Sequence, residues 1–216
     1  MQCIRKFAGV TAMMTAAAGM AGCETALELE LDAEADVSFQ VEESDGGLFG
    51  GSPPNEVRSG GHVVTVTQAT LTASRVALRG ATEAKHEGEA SFELPVRGGL
   101  VTPVRLRVES GLYDELELRV RSVRLKGTYD GEPFDITVRT DATAELDLSP
   151  GVRIESGERS NVTVRVELRE WFRADGGGLI DPARLETEAA LQTRLRANLA
   201  ASLEAFLDLN VDGQAG

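Results

Sequence analysis

Val162-Thr163-Val164-Arg165-Val166-Glu167-Leu168-Arg169 carries an apolar side chain at every second position and a polar or charged one between. A period of two throws alternate side chains to opposite faces of an extended chain, so this stretch is predicted to be a strand with one buried and one wet face. The same alternation recurs upstream. Val104, Leu106 and Val108 alternate with Arg105, Arg107 and Glu109, and Leu116, Leu118 and Val120 with Glu117, Arg119 and Arg121. Phe134, Ile136 and Val138 alternate with Asp135, Thr137 and Arg139, and Ala144, Leu146 and Leu148 with Glu145 and Asp147. Strands of a parallel sheet buried on both faces read as continuous apolar runs, whereas alternation belongs to antiparallel sheets with one solvated face.

Turn residues separate these runs at Gly98-Gly99, Ser110-Gly111, Asp130-Gly131-Glu132-Pro133, Ser149-Pro150-Gly151 and Ser156-Gly157. Asp-Gly is a favoured pair for a two-residue hairpin. Between Leu71 and Val76 the apolar parity changes, which predicts a bulge near Ala73 or Ser74. Counted from Val63, the pattern predicts eight or nine strands. Two sheets packed face to face bury that many apolar faces economically. The expected fold class is all-β, an antiparallel two-sheet β-sandwich followed by one C-terminal amphipathic α-helix.

The helix is read from the change of period after Leu168. Asp181-Pro182 places a capping carboxylate before a proline, a favoured helix start. From Ala183 to about Leu207 the chain is rich in Ala, Leu, Arg and Glu, and Leu191, Leu195, Leu199, Leu203 and Leu207 recur every four residues. At 100° per residue they make one apolar stripe, which suits docking onto the protein's own domain, with partner binding as the alternative. Trp171, the single tryptophan, is read as core packing at a strand end, with a carbohydrate-stacking surface as the alternative.

The first residues read as an address. Arg5 and Lys6 precede an uncharged stretch from Phe7 to Met20, and Met20-Ala21-Gly22-Cys23 follows. These are the three parts of a secretory signal. The last four residues resemble the lipobox of bacterial lipoproteins, with Met20 where that family commonly has Leu. The resemblance implies cleavage before Cys23 and lipid on its thiol, and two or more acyl chains anchor stably. Glu24 is not the Asp that marks inner-membrane retention in some bacteria, so the resemblance places the protein at the outer membrane or surface. Of the two cysteines, Cys3 leaves with the signal and Cys23 carries lipid, so the mature chain is expected to have no disulfide and no thiolate chemistry.

The expected organisation is a signal peptide over 1–22, an acidic tether over 23–61, a β-sandwich over 62–172, and a Gly-rich loop, helix and acidic tail over 173–216. The tether reading rests on ten acidic residues and no Lys or Arg between Glu24 and Val57, ending in Gly-Ser-Pro composition. Within it, Ala26 to Leu31 and Val37 to Val41 alternate at period two, and either is a candidate edge strand.

The 216 residues include 22 Lys plus Arg and 35 Asp plus Glu, a formal net charge of −13. That balance excludes an autonomous nucleic-acid binder, which needs a basic footprint. Arg105, Arg107, Arg119, Arg121, Arg124 and Lys126 form either a basic patch or one side of cross-strand ion pairs. Glu109, Glu115 and Glu117 among them favour the pairs.

Residues with chemistry are few. His62 and His86 are the only histidines, and neither falls in a nucleophile or metal motif. Carboxylates are plentiful, so a glycosidase-like acid pair remains open without a location. Asp208-Leu209-Asn210-Val211-Asp212-Gly213 fits the D-x-N-x-D-G opening of a calcium loop, with Asp208, Asn210 and Asp212 as ligands and the Gln214 carbonyl as a fourth. No Glu stands at the twelfth position, and the competing reading is a polar, frayed C-terminus.

Several segments together resemble uncharacterised lipid-anchored β-sandwich proteins of bacteria. These are Glu109-Ser110-Gly111-Leu112-Tyr113-Asp114-Glu115-Leu116, Gly127 to Phe134, Trp171-Phe172, Leu179 to Pro182, and Asn198, Phe206, Asp208 and Asp212-Gly213. The resemblance implies a domain of unknown activity. The functional expectation is a lipid-anchored, exported module that binds or scaffolds a protein or glycan partner in the cell envelope and catalyses nothing. The alternatives are a polysaccharide hydrolase using two carboxylates and a weakly calcium-stabilised adhesion domain; no other cofactor is expected.

Overall fold

The structure, a computed structural model, describes residues 32–42, 53 and 55–215. These residues are mostly β. Nine strands are described: β1 (Ala33–Val41), β2 (Glu56–Ser59), β3 (His62–Gly80), β4 (Glu83–Glu93), β5 (Leu100–Val108), β6 (Gly111–Tyr129), β7 (Glu132–Ile154), β8 (Arg159–Val166) and β9 (Leu203–Leu207). They form two curled sheets. One has the order β5-β1-β8-β9; the other has the order β2-β3-β6-β7, with β4 pairing β3 beyond β2.

The alternating pattern behaves as expected. Val104, Leu106, Leu116, Leu118, Val138, Leu146, Val162 and Val164 are all buried between the sheets. One continuous apolar core runs from Ala33 to Ala205, with Phe39, Leu71, Leu78, Tyr113, Leu125, Trp171 and Phe172 sealed from solvent. Register shifts between Ala73 and Arg75 interrupt the pairing of β3 with β4 and with β6, where the parity change predicted a bulge. Asp130 and Gly131 take positive φ, 50° and 89°, the hairpin geometry for which Asp-Gly is suited. At Gly127 an added Cβ would collide with the Thr65 carbonyl oxygen, so the close approach of β3 and β6 there requires glycine.

Three expectations change. First, from His62 onward there are seven strands, not eight or nine, because Ser149-Pro150-Gly151 lies within β7 and does not end it. Turn residues mark a bend there, and pairing to β6 resumes beyond it at Val152 and Ile154.

Second, β1 is neither tether nor edge. It lies between β5 and β8, antiparallel to β5 and parallel to β8, so the sheet is mixed. Its Ala33, Ala35, Val37 and Phe39 are fully buried. The folded region therefore reaches back to Ala33, and the boundary expected at residue 62 does not separate two cores. A parallel neighbour requires a long connection, here the whole chain from β2 to β7, and local periodicity carries no trace of it. The alternating stretch Ala26 to Leu31 and the lipobox residues lie outside the described residues.

Third, the long helix divides. Asp181 does cap, its carboxylate accepting from the Ala183 N–H at 2.9 Å, but it caps a 3-10 turn over Pro182–Arg184. The helix proper, preceded by the short α1 (Leu168–Trp171), is α2 (Ala189–Ala201), which buries Leu195 and Leu199. Ser202 ends it by donating to the Leu199 carbonyl while accepting the Trp171 indole N–H at 2.6 Å. Leu203 to Leu207 then pairs with β8 as a strand. Leu203 and Leu207 fit both a four-residue and a two-residue spacing. The open edge of β8 decides between them, because pairing satisfies backbone groups that a continued helix would leave exposed on that edge. Trp171 is packed inside, which overturns its carbohydrate-stacking alternative.

On the outer faces most of the cations of the supposed basic patch are paired. Arg105 meets Asp36 at 2.8 Å, Arg124 grips Asp135 through two 2.8 Å bonds, and Lys126 lies 3.8 Å from the same Asp135. Arg121 pairs with Glu89. Arg107 and Arg119 have no ion-pair partner among the described residues. Exposed pairs of this kind contribute little to stability individually, but they leave a charged, aggregation-resistant surface.

Candidate functional site

The C-terminal residues after β9 fold back over the outer face of the four-stranded sheet. Asp208 anchors them and is fully buried. Its Oδ2 accepts from Thr163 Oγ1 at 3.0 Å and from the Gly213 N–H at 2.8 Å, and its Oδ1 accepts from the Asp212 N–H at 3.2 Å. Beneath it the network continues across three strands. Asn161 Nδ2 donates to Thr163 Oγ1 at 2.9 Å, Ser38 Oγ donates to Asn161 Oδ1 at 2.6 Å, and Ser38 and Thr102 share a 2.7 Å hydroxyl contact. Val211 and Gly213 take positive φ, 57° and 81°, which bends the turn tightly around the carboxylate.

The D-x-N-x-D-G stretch is thus an ordered cap and not the frayed tail of the competing reading. Asn210 Nδ2 donates to Asp212 Oδ2 at 2.7 Å, and Asp212 Oδ1 accepts from the Gln214 N–H at 2.9 Å. Calcium takes six to eight oxygen ligands. Here both oxygens of Asp208 and both of Asp212 already accept hydrogen bonds from the chain, so the turn is ordered by its own donors. Among the described residues no group of three or more His, Cys, Asp or Glu side chains is spaced to hold a metal ion.

Beside this cap lies a polar hollow of about 690 Å³. The end of β1 supplies Gln40 and Glu42, β8 supplies Arg165, and the cap supplies Asp212 and Gln214. Gln40 ties strand to cap by donating to the Gly213 carbonyl at 2.6 Å. Arg165 lies over the Phe206 ring, 4.8 Å from its centroid. Burial, and then a hydrogen bond with Glu167, push the Glu42 carboxyl above the usual carboxylate range; Arg169 and Arg165 oppose this less strongly. Two carboxyl groups, Glu42 and Asp212, therefore line one hollow. That juxtaposition was unreadable in the sequence, because the two residues lie 170 positions apart and the motif that contains Asp212 points to no partner near Glu42.

A second constellation escaped the sequence reading. Pairing of β3 with β6 brings the Gly60-Gly61 turn beside the Asp130-Gly131 turn. There His62 Nδ1 and Asp130 Oδ2 stand 2.6 Å apart, and the imidazole stacks on Tyr129 with centroids 5.5 Å apart. Asp130 Oδ1 accepts from the Val63 N–H at 2.8 Å. The bond from His62, and then that N–H, hold the Asp130 carboxyl below the usual carboxylate range. Ser59, opposite His62 across the hairpin, gives its hydroxyl hydrogen to the Gly177 carbonyl. The structure therefore couples His62 to a carboxylate without directing a hydroxyl at it. His86 faces Val76 in the β3–β4 ladder and joins no such group.

Comparison with protein-family models, with curated proteins and with solved structures found no match for this chain.

Proposed function

We propose that this protein is an exported, lipid-anchored β-sandwich that serves as a binding or scaffolding module in the cell envelope, at the outer membrane or surface. The observation that carries the reading is Met20-Ala21-Gly22-Cys23 after Arg5-Lys6 and an uncharged stretch. The fold is compatible with it: one apolar core begins ten residues after Cys23, and it needs no disulfide. Among the described residues no helix is long and apolar enough to cross a membrane, so in this reading lipid on Cys23 provides the attachment. The net charge favours a protein or glycan partner over nucleic acid. Metabolic labelling with a fatty acid tests the anchor. Label is expected in the wild type and absent from Cys23→Ser; equal labelling of both removes the reading.

The hollow beside the cap favours one second reading, hydrolysis of an envelope polysaccharide. Glu42, whose carboxyl is pushed above the usual carboxylate range, would act as general acid, and Asp212 as the partner carboxylate. Release of reducing ends from envelope polysaccharide, lost in Glu42→Gln, is the expected result; no release by the wild type ends this reading.

A further inference from the structure

Among the described strands β2 pairs only with β3, so one rim of it is open. Val57, Arg58 and Ser59 of β2 line a hollow of about 370 Å³ together with Arg169 of α1 and with Arg173 and Leu179 of the turn that follows α1. That volume falls at the small end of the range for ligand pockets. Three arginines thus share one hollow, and no carboxylate among the described residues lines it. The fold alone brings them together, because more than 110 positions separate Arg58 from Arg169 in sequence.

The hollow is held in shape by the core. Trp171 and Phe172, both sealed from solvent, fix the chain between Arg169 and Arg173. Asn198 of α2 donates to the Trp171 and Arg173 carbonyls at 3.2 and 2.8 Å. Arg173 and Leu179 bridge as antiparallel partners, and the Ala174 N–H donates to the Gly178 carbonyl at 2.9 Å. The Ser59 hydroxyl, bonded to the Gly177 carbonyl, ties this turn to β2. Each arginine also has a carboxylate: Glu56 for Arg58, Glu167 at 3.3 Å for Arg169, and Glu170 at 2.8 Å for Arg173 and 3.8 Å from Arg169. In every pair the carboxylate is the more buried member, most clearly Glu56 at 19% against Arg58 at 61%. The carboxylates therefore steady the arginines from the protein side. A guanidinium carries five N–H donors, so most of them stay free to meet a ligand.

We propose that this hollow binds a small organic oxyanion, a sugar-sized molecule that bears one carboxylate or phosphate group. The planar guanidinium forks of Arg58, Arg169 and Arg173 match the oxygens of either group. Val57 and Leu179 supply apolar surface for the carbon skeleton, which a bare inorganic ion would leave unused. Because the walls are fixed before binding, little ordering cost falls on the protein. The inference goes beyond the binding-module reading. It needs neither lipid on Cys23 nor the hollow at Glu42 and Asp212, with which it shares no lining residue.

Calorimetric titration of the full chain tests the site, with glucuronate and glucose 6-phosphate as probes. At least one of them is expected to bind, and more tightly than its bare counterpart, acetate or inorganic phosphate; glucose is expected not to bind. Preference for glucuronate assigns the oxyanion to a carboxylate, and preference for glucose 6-phosphate to a phosphate. Arg58→Gln and Arg173→Gln are each expected to weaken the preferred probe about tenfold, the loss of one charge-assisted hydrogen bond. Arg121→Gln removes the same charge from an exposed pair with Glu89, outside the hollow, and is expected to leave the affinity unchanged. All three replaced side chains are exposed, so melting temperatures are expected to match the wild type. No binding of either sugar anion at millimolar concentration overturns the site. So does binding that the bare ions equal, or that Arg121→Gln weakens as much as Arg173→Gln does.

Discussion

Asp208 shows how much one side chain organises. As a motif residue it reads as a calcium ligand; in place it is a buried acceptor for one hydroxyl and two backbone N–H groups. Removing it leaves those donors unsatisfied, a loss of about 1–3 kcal/mol for a buried group. Asp208→Ala is therefore expected to melt several degrees lower than the wild type. The wild-type melting temperature should be the same in calcium and in EDTA; a clear rise with calcium would return the turn to the cation reading.

Asp130 makes a pH-dependent contribution of definite sign. Its folded carboxyl titrates below the usual value of 3.8, because His62 and the Val63 N–H favour the charged form. A depressed folded pKa adds stability above the unfolded pKa, and that stability is lost as pH falls through the folded one. Urea midpoints of the wild type should thus fall more steeply below about pH 4 than those of Asp130→Asn, and the two slopes should coincide near neutrality. Parallel slopes throughout would remove the coupling.

At the scale of elements, β1 separates a tether from a core strand. Phe39 is sealed from solvent and its ring meets Phe92, with centroids 4.6 Å apart. Truncating a buried phenylalanine costs about 3–5 kcal/mol. Phe39→Ala is expected to lose that much in urea unfolding, whereas a tether residue would lose nothing measurable. The sequence contained the period-two signal at Val37 to Val41. It did not contain the partners, because β5 and β8 lie more than 55 and 110 residues downstream. The helix shows the converse. Its register was legible at Leu195 and Leu199, and its end was not, because the stop depends on Trp171 reaching Ser202 and on the open edge of β8.

For the whole molecule, drawing β1 into the fold redistributes the charge. Only Glu24, Glu28, Glu30 and Asp32 lie between Cys23 and the first strand, and the chain from Ala33 onward carries 20 basic and 31 acidic residues, a net of −11. Acidity belongs to the domain more than to a leash.

The sequence by itself determined what depends on neighbours along the chain: which residues point inward, where Asp-Gly turns a hairpin, and where β3 bulges. Each of these is set within a few residues by the pleat, by φ preferences or by a contiguous motif. The tertiary structure alone decided what depends on pairing across the fold. It inserted β1 between two distant strands, turned the last apolar repeat from helix to strand, buried Asp208, and joined His62 to Asp130. Such juxtapositions follow from long-range strand register, which the burial of one common core selects and no local pattern records.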